Sequence, residues 1–306
     1  PIRRKGGRIT LTALLADLVP RFPLKHHPDY AADLIAIDTE SRARVATLPA
    51  KLGHVFGFER PDLATAIAKR THERRCTVLV GDSGNGKTVL ARNWAAKHPG
   101  PICWIRASDL VQPGGLRAVF KLKHEFGQLF PHSSQPGRIV LDGLDKCFED
   151  VAFDEAARVL LAANNAAALP RWEVLVTCCP EDWERVHRHL LRHGVALTGE
   201  NVTVPRFTTQ ELTEACTHIH ALTGLAQRPH LRPILRWPKV LDLVATYGQG
   251  AGSAAQWASE SDFAQWFWKS ILSRDQLASP RDRVARKLGV QLGDRTCSTI
   301  SLDTFD

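Results

Sequence analysis

The run Gly81-Asp82-Ser83-Gly84-Asn85-Gly86-Lys87-Thr88 constrains this 306-residue chain more than any other. It completes the pattern G-x-x-x-x-G-K-[ST]. It follows the apolar stretch Cys76 to Val80 and opens onto Val89-Leu90-Ala91-Arg92-Asn93-Trp94-Ala95-Ala96. A strand, a glycine loop and a helix in that order give the context in which the pattern has a mechanism. Glycines let the backbone curl, so that the N–H groups of residues such as Gly81, Ser83, Gly84, Asn85, Gly86 and Val89 converge with the helix N-terminus on a phosphate. Lys87 is then placed to reach the β- and γ-oxygens, and the Thr88 hydroxyl to ligate Mg²⁺. The bland alternative is a chance glycine turn in an unrelated α/β protein. It is disfavoured because strand, helix, Lys and Thr are all in place. The expected ligand is a nucleoside triphosphate.

A chain of this length can bury a large core and divide into two or three domains. No stretch is apolar for long enough to span a bilayer, and no signal peptide is visible. The chain begins at Pro1 and contains no methionine, which reads either as an excised or mature segment or as a sequence that has lost methionines. The net charge of +8 suggests a nucleic-acid partner. Its distribution counts against one, because Arg3, Arg4, Lys5 and Arg8 crowd the start while the rest is mixed along helical segments. The seven cysteines include no C-x-x-C pair. Cys76, Cys103, Cys178 and Cys179 fall in or beside apolar runs, where free Cys behaves as a small apolar residue, so a reducing, cytoplasmic setting without a zinc site is expected.

Residues 1–72 read as an N-terminal helical region, with Leu11, Leu14, Leu15 and Leu18 at helix spacing, further helical pieces at Ala31 to Ile37 and Leu63 to Ala68, and Pro61 near a helix start. A lid over the loop is the functional alternative to simple packing there. Residues 73–207 alternate strand and helix, which predicts a parallel sheet covered on both faces. The expected strands are Cys76 to Val80, Ile102 to Ile105, Arg138 to Asp142, Glu173 to Thr177 and Val202 to Val204. Helices are expected at Leu116 to Phe130, Asp154 to Leu169 and Pro180 to Leu191. Residues 208–292 read as a helical bundle, with helices at Thr209 to Leu222, Leu231 to Tyr247, Ser259 to Leu272 and Pro280 to Leu292, joined by a Gly248 to Ser253 connector.

A phosphate loop needs an acidic residue at the end of a neighbouring strand to hold Mg²⁺. Ile139-Val140-Leu141-Asp142-Gly143-Leu144-Asp145 supplies Asp142 for the metal. Asp145 is placed to orient or deprotonate an attacking water, the alternative being that it caps the next helix.

The strand ending in Asp-Gly-Leu-Asp resembles the Walker B motif of the NACHT and related STAND ATPases. Leu175 to Trp183 is similar to that family's sensor-1 segment. Ile234 to Leu243, containing Trp237-Pro238, resembles its proline motif. Phe263 to Trp268 resembles a helix of bacterial members with antiviral roles. The resemblance covers residues 73 to 292 and implies a P-loop NTPase three-layer α/β sandwich followed by a helical bundle, with residues 293–306 starting a winged-helix domain. It implies an ATP/ADP- and Mg²⁺-binding switch with slow hydrolysis, Lys87, Asp142 and Asp145 as catalytic residues, Thr88 and Asp142 at the metal, and Pro238 near the adenine. It also implies self-association on activation, an effector domain before Pro1, a sensor after Asp306, and a foreign-protein trigger.

Two departures bear on catalysis. Lys146 stands where the family often has Glu, and Cys179 where a sensor arginine usually precedes the proline. Arg92, Arg106 and Arg236 are the candidates to replace that arginine. A DNA-associated AAA+ ATPase is the competing reading, although Gly143 stands where it would predict an acidic residue after Asp142. A small-molecule kinase is a third, for which the Trp-Pro helical segment has no place.

Overall fold

The computed structural model describes residues 29–57, 59–130, 133, 135–165, 172–197, 201–219, 222, 225, 227–247, 262, 265 and 266. The expected helices at Leu11 to Leu18 and Pro280 to Leu292, the Gly248 to Ser253 connector and the segment 293–306 lie outside them, as does most of Ser259 to Leu272.

Five parallel strands form one sheet in the order β2-β3-β4-β1-β5. They are β1 (Cys76–Val80), β2 (Ile102–Arg106), β3 (Gly137–Asp142), β4 (Trp172–Cys178) and β5 (Val202–Thr203). All five coincide with the expected runs to within a residue or two at each end. The sheet is built from short β-branched and apolar runs buried on both sides, as parallel strands with helical crossovers must be. Alternate residues accordingly divide between two cores. Val78, Val80, Cys103, Ile105, Ile139, Leu141, Val174 and Val176 enter one. Leu79, Ile102, Trp104, Val140 and Leu175 enter the other.

The main helices are α1 (Ala31–Thr47), α2 (Pro61–Arg74), α3 (Lys87–Ala96), α4 (Asp150–Asn165), α5 (Pro180–Arg192), α6 (Thr209–His218) and α7 (Pro238–Tyr247). The first two are longer than the apolar spacing implies, and α2 starts with Pro61, whose missing N–H costs nothing there. Helix α1 covers the open edge of β2. Asp38 Oδ1 accepts the Ile102 N–H at 2.8 Å, Ser41 Oγ accepts the Trp104 N–H at 2.9 Å, and Arg44 donates to the Trp104 carbonyl at 3.3 Å. Residues three apart on a helix face thus satisfy successive groups of a strand edge that would otherwise template another chain.

Two expected helices are corrected. Leu116 to Phe130 is broken into short turns, Gly115–Val119 and Phe126–Leu129. Between them Arg117 folds back onto the Leu122 carbonyl, and the buried Asp33 carboxylate accepts the N–H groups of Lys123 and His124. Those donors are diverted from a helix. Burial alone would raise the Asp33 pKa, but the Lys123 and His124 donors outweigh it and hold the carboxyl below its ordinary value. Leu231 to Tyr247 is likewise split into Arg232–Leu235 and α7, because Pro238 has no N–H to continue the first turn and instead begins the second. The expected Thr209 to Leu222 helix ends at His218, capped at its start by a reciprocal pair between Thr208 and Glu211.

The helical segment after the sheet has its own core of Phe207, Leu212, Ala215, Leu222, Leu231, Leu235, Leu241, Val244 and Trp266. It is tied to the N-terminal region. A tight turn at 52–56 stacks Phe56 on His218, with ring centroids 4.4 Å apart, and the Gly53 N–H donates to Asp242 Oδ1 at 3.0 Å. No helix among the described residues is long and apolar enough to cross a membrane.

Candidate functional site

The phosphate loop leaves the carboxyl end of β1 and is braced before it turns into α3. Gly81 sits where a Cβ would come within 2.6 Å of the Val204 carbonyl, so the close approach of the two backbones excludes a side chain. The same carbonyl accepts from Asn85 Nδ2 at 3.0 Å. Asn85 is buried, and its Nδ2 braces the loop by this bond. Gly86 has φ +91°, with open space where a Cβ would point, and hands the chain into α3. Lys87 Nζ lies on the loop's own carbonyls, donating to Gly81 and Asp82, and is 3.6 Å from Cys179 Sγ.

Strand β4 lies between β1 and β3, and this places the acidic residues. Asp142, at the end of β3, accepts from Thr88 Oγ1 at 3.0 and 3.2 Å. It also accepts from Thr177 Oγ1 at 2.7 Å, while the Gly143 N–H donates to that same hydroxyl at 2.8 Å. Thr177 is 1% exposed. It is a buried clamp that fixes the carboxylate against the Thr88 hydroxyl. A carboxylate and a hydroxyl in contact form a hard-oxygen set that suits Mg²⁺ completed by phosphate and water oxygens. Asp145 is not a helix cap. It sits in the short turn Leu144–Lys146 and accepts the Cys179 N–H at 3.2 Å.

These groups open into a cavity of about 290 Å³. Its phosphate side is lined by Ser83, Gly84, Asn85, Gly86, Lys87, Thr88, Val89, Asp142, Gly143, Asp145, Lys146, Thr177 and Cys179. Pro238 lines it as well, together with Lys239 and Asp242 of α7. Gly81 does not line it and acts through its carbonyl on Lys87.

The structure corrects two expectations here. Cys179 is not a structural core cysteine, since it is only partly buried and lines the cavity beside Lys87. Burial, with the neighbouring Asp145 charge next, raises its pKa, so it stands there as a neutral thiol. Cys178, one residue earlier, points into the core with its pKa pushed up to about 12 by burial. The candidate arginines are not in the cavity either. Arg92 is bound to the Val45 carbonyl, Arg236 to the Phe207 carbonyl, and Arg106 sits at the exposed end of β2.

The other wall includes the N-terminal region, for which sequence reading offers a lid only as an alternative and names no residue. Pro49, Ala50, Lys51 and Leu52 of the N-terminal region line the cavity with Arg60 and Phe207. Arg60 is held by Glu211 at 2.8 Å and by the Pro205 carbonyl at 2.9 Å. No motif marks these residues, and long-range contacts such as the pairing of Arg60 with a glutamate 151 positions later bring them together. The backbone of the helical segment also touches the loop itself, with the Lys239 N–H donating to the Gly84 carbonyl at 3.1 Å.

The five-stranded parallel sheet and its glycine loop give the chain a P-loop NTPase fold. No protein-family model and no curated protein matches it. Solved structures with a similar trace include a Walker-type ATPase of Pyrococcus abyssi, at 12% identity and a TM-score of 0.46, covering 79% of this chain and 80% of that one. RuvB of Thermotoga maritima is similar at 13% identity and a TM-score of 0.43, covering 75% and 74%. The FIGL-1 AAA domain in complex with ADP is similar at 16% identity and a TM-score of 0.39, covering 69% and 76%. Likenesses this distant assign no residue a role.

Proposed function

We propose that this chain is an ATP- and ADP-binding switch module in which nucleotide in the phosphate loop sets the position of the helical segment. The observation that carries the reading is the contact between the two. The Lys239 N–H donates to the Gly84 carbonyl, and Pro238, Lys239 and Asp242 share a cavity with Lys87 and Thr88. A ligand that fits the loop differently in its diphosphate and triphosphate forms then has different affinities for two placements of α7, which is the condition for a switch.

In this reading the loop amides and Lys87 hold the phosphates, while Thr88 and Asp142 hold Mg²⁺. Asp145 positions water. No arginine lines the phosphate side among the described residues, and Cys179 is uncharged, so hydrolysis is expected to be slow. The cavity lining is cationic on balance. Lys51, Arg60, Lys87, Lys146 and Lys239 stand against Asp142, Asp145 and Asp242, five positive residues to three negative, which favours a polyanionic ligand. The resemblance to STAND ATPases of the NACHT kind extends the proposal. The module would control self-association and an effector in a defence or signalling protein, released by a foreign-protein trigger.

The test compares the purified chain with Lys87→Ala. Each is denatured to identify any released nucleotide, and ATP turnover is followed with and without DNA. Tightly held ADP in the wild type alone, with little turnover either way, is the expected result. Lys87→Ala should weaken ADP about 100-fold, because a charged hydrogen-bond donor is lost. Rapid turnover stimulated by DNA would sink the switch and favour a DNA-associated AAA+ ATPase.

A further inference from the structure

The phosphate side of the cavity contains a second ammonium that the loop motif does not account for. Lys146 closes the short turn that follows Asp142, and it lines the cavity with Asp142, Gly143, Asp145, Thr177 and Cys179. Its chain folds back over Gly143. A Cβ built on that glycine would lie 3.5 Å from Lys146 Cδ and 3.7 Å from Cε. The turn is held in this form by the Lys146 N–H donating to the Gly143 carbonyl at 2.9 Å. Gly143 adopts φ +83°, which reverses the chain directly after Asp142.

The cations of the cavity differ in what they already bind. Arg60 is engaged by Glu211 and the Pro205 carbonyl, Lys239 lies 3.3 Å from Asp242, and Lys87 rests on the loop carbonyls. Lys51 belongs to the N-terminal wall, where the adjoining turn docks on α7. The Lys146 ammonium makes no hydrogen bond or ion pair among the described residues. It is therefore a solvent-facing positive charge at the phosphate side that no group among the described residues holds, and it is free to meet a ligand. Asp145, one residue before it, accepts the Cys179 N–H on one oxygen.

Building on the nucleotide-binding reading above, we propose that Lys146 is a specificity-determining residue that binds the terminal phosphate of a nucleoside triphosphate and so distinguishes it from the diphosphate. A γ-phosphate beside the Thr88–Asp142 pair extends toward the turn that follows Asp142, and Lys146 is the cation standing there. The diphosphate, held by the loop amides and Lys87, ends short of it. This lysine supplies from within the chain the positive charge that no arginine brings to that side, and it makes the triphosphate the form that ties the Asp142 turn to the loop.

Binding of ADP and of the non-hydrolysable triphosphate AMP-PNP, both with Mg²⁺ and at one ionic strength, is measured by calorimetry for wild type, Lys146→Ala and Lys146→Arg. Loss of one charge-assisted contact should weaken AMP-PNP about tenfold in Lys146→Ala while ADP changes by less than about twofold, with Lys146→Arg restoring most of the difference. Lys146 is exposed, so the variants should melt with the wild type, and matched melting curves establish this. Equal weakening of both ligands, or no change in either, overturns the role of Lys146 and leaves the nucleotide site standing. A wild-type chain that binds neither ligand overturns both.

Discussion

The two walls of the cavity are made in opposite ways. The phosphate wall comes from the carboxyl ends of three adjacent parallel strands, β1, β3 and β4, and its residues fall in three short runs, 83–89, 142–146 and 177–179. The facing wall draws on Pro49 to Leu52, Arg60, Phe207 and Pro238 to Asp242, which lie far apart in the chain. One wall is fixed by a sheet whose register leaves its residues little choice. The other depends on long-range polar pairs, Arg60 with Glu211 and Gly53 with Asp242, and on the stacking of Phe56 on His218. The phosphate wall is therefore expected to be rigid and the facing wall adjustable, which is the division of labour a switch requires.

Substitutions can break or sharpen that contrast. The largest effect is expected at Gly81, where a methyl group would press on the Val204 carbonyl and the loop has no slack to move. Gly81→Ala should lower stability by about 2 kcal/mol, read from denaturant melts, and weaken ADP as well. A neutral outcome would mean that the phosphate wall is as pliable as the one facing it. Thr177→Val comes next. It keeps the shape but removes the hydroxyl that orders Asp142 and accepts from Gly143, so the Mg²⁺ needed for half-maximal nucleotide binding should rise about tenfold. An unchanged Mg²⁺ requirement would show that Thr88 alone positions the carboxylate.

Arg60→Ala should cost the least, about 1 kcal/mol, because Glu211, at 20% side-chain exposure and still accepting the Thr208 N–H, can be resolvated when the buried Arg60 is removed. Hydrogen exchange should speed up in α6 and in residues 49–56 of this variant while β1, β3 and β4 keep their protection. Faster exchange in the strands as well would show that the two walls are one cooperative unit.

How much could be read in advance follows the same line. The five strands were legible because parallel strands are near-continuous apolar runs, and the loop because each of its residues has a local reason. Asp142 was legible as the polar end of such a run. Thr177 lies in a legible strand, but its role is not legible, since a hydroxyl in a buried strand becomes a clamp only when β4 is inserted between β1 and β3. The helix expected at Leu116 to Phe130 failed because Asp33, about ninety residues away, takes its N–H groups. The arginines suggested for the phosphate side failed because nothing local tells which backbone carbonyl an arginine will find.

The sequence by itself determined the phosphate loop, the strands that carry it and the acidic residue facing it, because each depends on neighbours in the chain and on burial of short apolar runs. Only the tertiary structure decided that Lys146 and Cys179 share the phosphate side, that Arg60 and residues 49–52 form the opposite wall, and that Lys239 touches the loop. Those placements depend on strand order and on polar pairs between distant segments, and the free energy of such pairs is set by geometry and burial that no local pattern encodes.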